Sequence, residues 1–357
     1  MKRRESRTIE AQPRFPLADW IDGHHAVRHQ LSQSGMLDVL RSVPPLIRSP
    51  PPATEAEVRE LLGGLHGVDP ARVFLTHGAS EGNSVSLTTL ARRIPRPSSR
   101  APRVRVALPE YPPLSEAAEL AGFHVVPPGS RVDLALFSNP HNPTGMRFDA
   151  AEVERRRRGA TRVLVDETFR WFTPAPSLAR ENGPGVWVTG TLTKAFGADS
   201  VRLGWVIPAP EDRDRFASVD GVLTDKLGDA SLAQAAALLR AAPRVLQEAR
   251  GVFRTNLRYL RRRVREAPSL SAPVWFDRGR NGLRGDHLAI QALTHGVLVA
   301  PGSMFGDPSG VRVCLTRPSF PEDLDAYLAV RDLFVPGEPH RRRRSMRGLT
   351  GPVHRSR

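Results

Sequence analysis

The chain has 357 residues, 40% apolar and 25% charged, values of a globular protein and enough length for two linked domains. No apolar run approaches the roughly 18 residues of a membrane span, and the basic start Met-Lys-Arg-Arg leads into no hydrophobic stretch, so neither a membrane protein nor a secretory signal is expected. The single cysteine, Cys314, excludes an internal disulfide and suits the reducing cytoplasm; the net charge of +15 is scattered, with runs at 155–158, 261–263 and 341–344 but no helix-turn-helix, zinc-finger or RNA-binding signature, so nucleic acid is not the expected partner.

Residues 1–54 carry little periodicity. Ala26 to Leu40 can form a short helix with a break at Gly35, and Ser49-Pro-Pro-Pro-Ala reads as a stiff linker. Thr54 and the early acids Glu55 and Glu57 open a helix that runs to about Leu65. A short strand at Val73–Thr76 then meets a turn of small residues and an amphipathic helix. Gly78, Ala79 and Ser80 would place free backbone N–H groups at that helix start, where they and the helix dipole stabilise a phosphate; a plain N-cap fits the same residues.

The next strand, Val104–Leu108, ends in Pro109-Glu-Tyr-Pro-Pro. Tyr111 therefore sits where a strand gives way to a helix (about Leu114 to Ala121), able to stack on a flat ring or to serve as a structural aromatic. The strand Val132–Phe137 runs into Ser138-Asn-Pro-His-Asn-Pro-Thr-Gly145, a rigid turn that presents an amide. A helix at Asp149–Arg158 follows, and then a buried strand from Arg162 that ends in acids. Asp166 falls at its carboxyl end, where a carboxylate can keep a pyridine nitrogen protonated.

The apolar lead-in Val186–Thr189 brings the chain to Thr191-Leu-Thr-Lys-Ala-Phe-Gly, with a β-like segment from Arg202 to Ile207. Among 357 residues there are only three lysines, Lys2, Lys194 and Lys226. A desolvated lysine can lose its proton and join an aldehyde as a Schiff base; arginine cannot. Thr191, Thr193 and Arg202 can hold a phosphate beside it. Taken alone, the stretch also fits an ordinary surface loop. Its weight comes from coincidence, because each candidate group lies just after a strand.

From Ala230 to Arg265 the pattern is helical, with Pro243 expected to interrupt it. The last section, Pro273 to Leu333, alternates short strands with helices, including Val297–Ala300, the strand Val311–Thr316 that carries Arg312, and a closing helix at Asp323–Leu333. Beyond Pro336 a basic tail lacks any core-forming pattern and reads as disordered. The alternation of strands and helices predicts an α/β fold with a mostly parallel sheet covered on both faces. The expected division is an N-terminal segment 1–54, a large domain 55–232, a small domain 233–335 and the tail 336–357.

At this point the sequence resembles the pyridoxal-phosphate enzymes of fold type I, the class I/II aminotransferases. The resemblance covers about residues 55–333. It is carried by Asn139-Pro-His-Asn-Pro-Thr-Gly, Val165-Asp-Glu, Thr191-Leu-Thr-Lys and Arg202-Leu-Gly, in the family's order and at similar distances. It implies a large domain with a seven-stranded, mostly parallel sheet between helices, a smaller α+β C-terminal domain, pyridoxal 5'-phosphate as cofactor, and a homodimer. It also implies roles. Lys194 would join the cofactor and shuttle a proton. Asp166 would pair with the ring nitrogen, Asn142 with the ring's phenolic oxygen, and Tyr111 would stack on the ring. Gly78, Ala79, Ser80, Thr191, Thr193 and Arg202 would cradle the phosphate. Arg312 would clamp the substrate's carboxylate.

Two positions depart from the family pattern. Phe169 stands three residues after Asp166, where a tyrosine is usual. Leu46-Ile-Arg-Ser-Pro-Pro-Pro replaces a tyrosine-containing segment. The implied reaction is amino-group transfer between an amino acid and a 2-oxo acid. Loss of the tyrosine keeps a decarboxylase, lyase or oxidase on the same cofactor as the alternative. A basic, non-catalytic module that binds nucleic acid is the third reading.

Overall fold

The computed structural model describes residues 15–93, 100–127, 129–181, 184–278 and 284–333. The basic tail expected at 336–357 lies outside them. The chain begins with α1 (Pro16–Gly23), strand β1 (His29–Gln30), α2 (Val43–Arg48) and α3 (Glu55–His66). It continues through β2 (Phe74–Thr76), α4 (Ala79–Arg93), β3 (Arg103–Val106), α5 (Pro112–Leu120), β4 (His124–Val126) and β5 (Val132–Ser138). Next come α6 (Ala150–Arg157), β6 (Ala160–Asp166), β7 (Val186–Thr191), β8 (Gly204–Ile207), α7 (Arg213–Leu223), α8 (Asp229–Arg240) and α9 (Ala242–Arg263). It closes with β9 (Val274–Asp277), α10 (Gly285–Thr294), β10 (Val297–Leu298), β11 (Ala300–Pro301), β12 (Val311–Cys314) and α11 (Phe320–Leu333).

Seven strands form the central sheet in the order β2-β8-β7-β6-β5-β3-β4. Only β8 runs against the rest. The α/β fold class and mostly parallel sheet read from the sequence are thus observed. β5 and β6 are the centre, paired from Val132↔Ala160 to Ser138↔Asp166. Their Leu/Val/Phe runs are buried almost throughout, as strands covered on both faces must be. One face packs α4, α5 and α7 through Val85, Leu90, Leu114, Ala118 and Phe216 around Trp187. The other face packs the N-terminal helices and α8 and α9 around Trp171, Phe196 and Trp205.

The helix boundaries follow local chemistry. Thr54 caps α3 by accepting from the backbone N–H of Glu57 at 3.2 Å, and Gly67 ends it in the left-handed region at φ 69°. Asp149 caps α6 through Glu152 N–H at 2.8 Å. Pro243 sits in the first turn of α9, so the long helical pattern breaks at Ala241 into α8 and α9, the interruption its position predicts.

One expectation fails. Residues 26–40 form no helix. Instead β1 pairs in parallel with β10, Leu31 bonds Leu298 O and Cys314 N, and Met36 N–H donates to Lys194 O at 2.9 Å. The segment gives its backbone hydrogen bonds to distant strands and to the lysine loop, and this tertiary pairing overrides a weak local helix preference. Gly197 fits because of it: a Cβ there would stand 2.4 Å from Met36 O, and its φ is 61°.

Candidate active site

The carboxyl ends of parallel strands share one edge of a sheet, and loops leaving that edge converge. Here they enclose a cavity of about 180 Å3. Nine of the sequence-predicted residues line it. Ala79 and Ser80 come from the start of α4, Tyr111 from the residue before α5, and Asn142 from the Pro-rich turn after β5. Asp166 ends β6. Thr191, Thr193, Lys194 and Arg202 come from the β7–β8 connection. Two predicted residues do not line the cavity. Gly78 lies just behind Arg202, and Arg312 is buried behind Asn142.

Asp166 is held on both oxygens. Oδ1 accepts from Thr168 N–H at 2.8 Å, and Oδ2 from Asn83 Nδ2 at 3.1 Å; Asn83 Oδ1 in turn accepts from Thr189 at 2.7 Å. Asn83 also lines the cavity, and the sequence reading missed it. The signal was available: Asn83 stands three residues after Ser80, on the same face of α4. Ser34, Ser138, Pro140 and Thr168 were missed as well, and Asp199 with them. Phe169 packs its buried ring into the wall beside Thr168 and brings no hydroxyl to the cavity.

Lys194 is half-buried. Burial first, and then the Arg312 guanidinium, push its amine below the usual lysine range, while Asp199, Cys314 and Asp166 oppose them. A lysine so placed reaches its neutral, nucleophilic form more easily. The Tyr111 hydroxyl is pushed up to about 12, by burial and then by the Asp166 charge, so the phenol stays neutral.

The other end of the cavity collects donors. α4 begins at Ala79, and the first N–H groups of a helix have no partner within it; the Thr191 and Thr193 hydroxyls lie 3.0 Å apart, and Arg202 sits in the left-handed region at φ 49°. The turn needs its glycines. Gly78 has φ 94°, and a Cβ on Gly204 would stand 2.4 Å from the Gly78 carbonyl carbon, so β8 passes flush under the loop. Arg202 Nη1 donates to Asp199 at 2.8 Å.

This donor set fits a phosphorylated pyridine aldehyde: backbone N–H groups, hydroxyls and an arginine for a phosphate, a braced carboxylate for a ring nitrogen, an amide for a ring oxygen, an aromatic to stack, and an amine for the aldehyde. Arg312 Nη1 donates to Asn142 Oδ1 at 3.2 Å and Nη2 to Ser32 O at 2.8 Å; its Nε is buried without a partner.

A sheet whose strand ends gather a lysine, an aspartate and an anion cradle around one cavity defines an α/β enzyme site of the pyridoxal-phosphate kind. The model of the family described as aminotransferase class I and II matches residues 25–329, and the chain belongs to that family, whose cofactor is pyridoxal phosphate. A histidinol-phosphate aminotransferase of Natronomonas pharaonis is 30% identical over 196 residues, 52% of each chain. A threonine-phosphate decarboxylase of Pseudomonas aeruginosa is 31% identical over 222 residues, 56% of this chain and 60% of that protein. The chain thus spans between half and three fifths of the length of these curated relatives. An aspartate aminotransferase double mutant of Thermus thermophilus superposes with a TM-score of 0.73 at 19% identity, over 92% of this chain and all of that one, a likeness of fold. Among the described residues no helix is long and apolar enough to cross a membrane, and no group of three or more metal-binding side chains occurs.

Proposed function

We propose that the chain is a pyridoxal-phosphate-dependent aminotransferase that moves an amino group between an amino acid and a 2-oxo acid. The bound cofactor supplies an aldehyde to capture the amino group and a ring that draws electrons from the reacting carbon. The protein supplies the rest. Lys194 Nζ takes the proton from the substrate's α-carbon and returns it one position away, general base and acid work contributing roughly 10²–10⁴-fold. Asp166, fixed by Asn83 and Thr168, holds a proton on the ring nitrogen. Asn142 donates to the ring oxygen without help from a tyrosine at 169. Ala79, Ser80, Thr191, Thr193 and Arg202 hold the phosphate, with Gly78 giving Arg202 room, and Tyr111 covers the ring. Arg312 orients the substrate carboxylate once Asn142 shares its guanidinium.

The observation that carries this reading is Lys194, an amine held below its usual range, in one cavity with a doubly hydrogen-bonded Asp166. The test is spectroscopic. Protein mixed with pyridoxal phosphate should gain an imine band, and Lys194→Ala should lose it. A band that survives the substitution unchanged would end the assignment.

A second reading, a decarboxylase on the same cofactor, is favoured by Phe169 and by the likeness to a threonine-phosphate decarboxylase. Amino acids that leave pyridoxamine phosphate on the enzyme select the first reading; release of carbon dioxide without it selects the second. The same proposal includes a cytoplasmic homodimer and a division into a large domain at 55–232 and a small one at 233–335. The parallel pairing of β1 with β10 supports grouping part of segment 1–54 with the latter.

A further inference from the structure

Behind the cavity wall lies a buried acid that the proposed chemistry does not use. Glu110 precedes Tyr111 and is 1% exposed. Its Oε1 accepts from Tyr111 N–H at 2.7 Å and from the Ser138 hydroxyl at 2.5 Å; its Oε2 accepts from Ser138 N–H at 2.8 Å. The Ser138 hydroxyl oxygen in turn accepts from Asn142 N–H at 2.9 Å. Glu110's own N–H is anchored to Phe305 O at 3.0 Å. One carboxyl group therefore ties the loop that carries Tyr111 to the loop that carries Asn142. Beside it the His141 ring is buried, with Nε2 3.6 Å from Oε2, beyond hydrogen-bond reach, and Nδ1 2.8 Å from the Thr144 hydroxyl.

We propose that Glu110 is a positioning residue of the cofactor site, which fixes Tyr111 and Asn142 relative to each other and whose own charge, carried behind the cavity wall, bears on cofactor binding. This inference rests on the cofactor reading of the cavity.

Among the described residues, Tyr111, Ser138, His141 and the like-charged Asp166 stand around Glu110, and Arg156 and Glu152 of α6 and the Pro109 backbone stand around His141. Burial pushes the Glu110 carboxyl up to about 7, against its three hydrogen bonds and with Asp166 adding to the rise. Burial and then Arg156 push His141 down to about 3, against its bond to the Pro109 backbone and the Glu152 charge, so the imidazole is neutral. Below neutrality the pair is uncharged. Above it, Glu110 places a second negative charge near Asp166, in a cavity that must also take a phosphate dianion. Cofactor affinity should therefore fall as Glu110 loses its proton.

Glu110→Gln cannot ionise, and its amide nitrogen cannot accept from Ser138 N–H. The dissociation constant of pyridoxal phosphate, read by quenching of tryptophan fluorescence, is compared for variant and wild type between about pH 6 and about pH 8.5. The ratio of variant to wild type should be several-fold, about fivefold, larger at the acid end, with the change centred near neutrality. A purely structural role predicts a ratio that is flat with pH, and that result overturns the proposal. If Glu110→Gln does not fold, Ser138→Ala replaces it. That variant cuts the link to Asn142 and removes a bond that favours the Glu110 carboxylate, so binding should weaken at both ends with the pH trend kept but moved to higher pH; wild-type affinity in Ser138→Ala would overturn the proposal as well. A wild type that forms no imine band takes down the cofactor reading and this inference together, whereas a normal band with a flat ratio removes only the latter.

Discussion

Arg312 Nη1 donates to Asn142 Oδ1 at 3.2 Å although the two residues are 170 positions apart. The guanidinium comes from β12 and the amide from the turn after β5. A second bond, Nη2 to Ser32 O at 2.8 Å, ties in the N-terminal segment. Arg312 is thus a buried brace among three parts of the chain, and it orients the amide that faces the cavity.

Arg312→Lys follows from this. A lysine cannot make both planar contacts, so Ser32 O or Asn142 Oδ1 loses its donor. An unpaired buried acceptor costs about 1–3 kcal/mol, to be read as a lower denaturation midpoint of the cofactor-free protein. Asn142 also loses its orientation, so kcat/KM for the amino substrate should fall by roughly 10–100-fold. A lysine variant with wild-type stability and kcat/KM would mean the brace carries nothing.

Asp199→Asn tests the anion cradle. Arg202 spends one nitrogen on the Asp199 carboxylate, a half-exposed pair that contributes little to stability. A phosphate must share that arginine with a like-charged neighbour. Removing the charge should tighten binding of pyridoxal phosphate, and of inorganic phosphate as a simpler probe, by several-fold, about 1 kcal/mol, with the gain shrinking at high salt. Fluorescence titration at two ionic strengths reads it. Weaker binding in the variant would show instead that Asp199 holds Arg202 in place for the phosphate.

How much of this was legible in the sequence depended on the range of the forces involved. Lys194, Asp166 and Asn142 were legible because each follows an apolar strand, and strand ends in a parallel sheet share an edge. Gly78 and Arg202 were read as phosphate-holding groups; Arg202 lines the cavity and Gly78 lies just behind it. Asn83 was missed because it is one polar residue within α4, and its meaning appears only when Thr189 and Asp166 arrive from other strands. Residues 26–40 misled because their hydrogen bonds go to β10, β12 and the lysine loop, none of which is near in sequence. Arg312 was singled out, but its burial behind Asn142 was not foreseen, since nothing along the chain reports what stands in front of a side chain.

Lys194→Met should separate chemistry from stability. Burial and Arg312 hold the folded-state pKa of Lys194 below its unfolded value. Stability is therefore fullest above the unfolded value of about 10.4, and it is lost as the pH falls through the folded pKa, where the amine must be charged inside the protein. At neutral pH the cofactor-free Lys194→Met protein should unfold at a higher temperature than wild type and show no imine band with pyridoxal phosphate. Thermal unfolding monitored by circular dichroism checks the first part. A lower midpoint would mean that Lys194 makes a net favourable contact in the empty site.

His66 gives the clearest pH prediction away from the site. It ends α3, packed edge-on against Trp171 at 5.3 Å and Trp205 at 5.5 Å, with neither ring nitrogen hydrogen-bonded. Burial, and then the Arg170 charge, push its pKa well below the ordinary histidine value. The folded protein therefore refuses a proton that the unfolded chain accepts. Full stability is present above the unfolded pKa of about 6.5 and is lost as the pH falls from there towards the folded pKa, because the unfolded state binds more protons in that window. His66→Phe fills nearly the same space between the indoles and does not titrate. Its denaturation midpoint should fall less steeply than that of the wild type between about pH 6.5 and about pH 5, while the two proteins differ little above neutrality. Parallel slopes in that window would mean that His66 remains unprotonated in both states or gains a proton in both, and other groups would then account for the acid sensitivity of the fold.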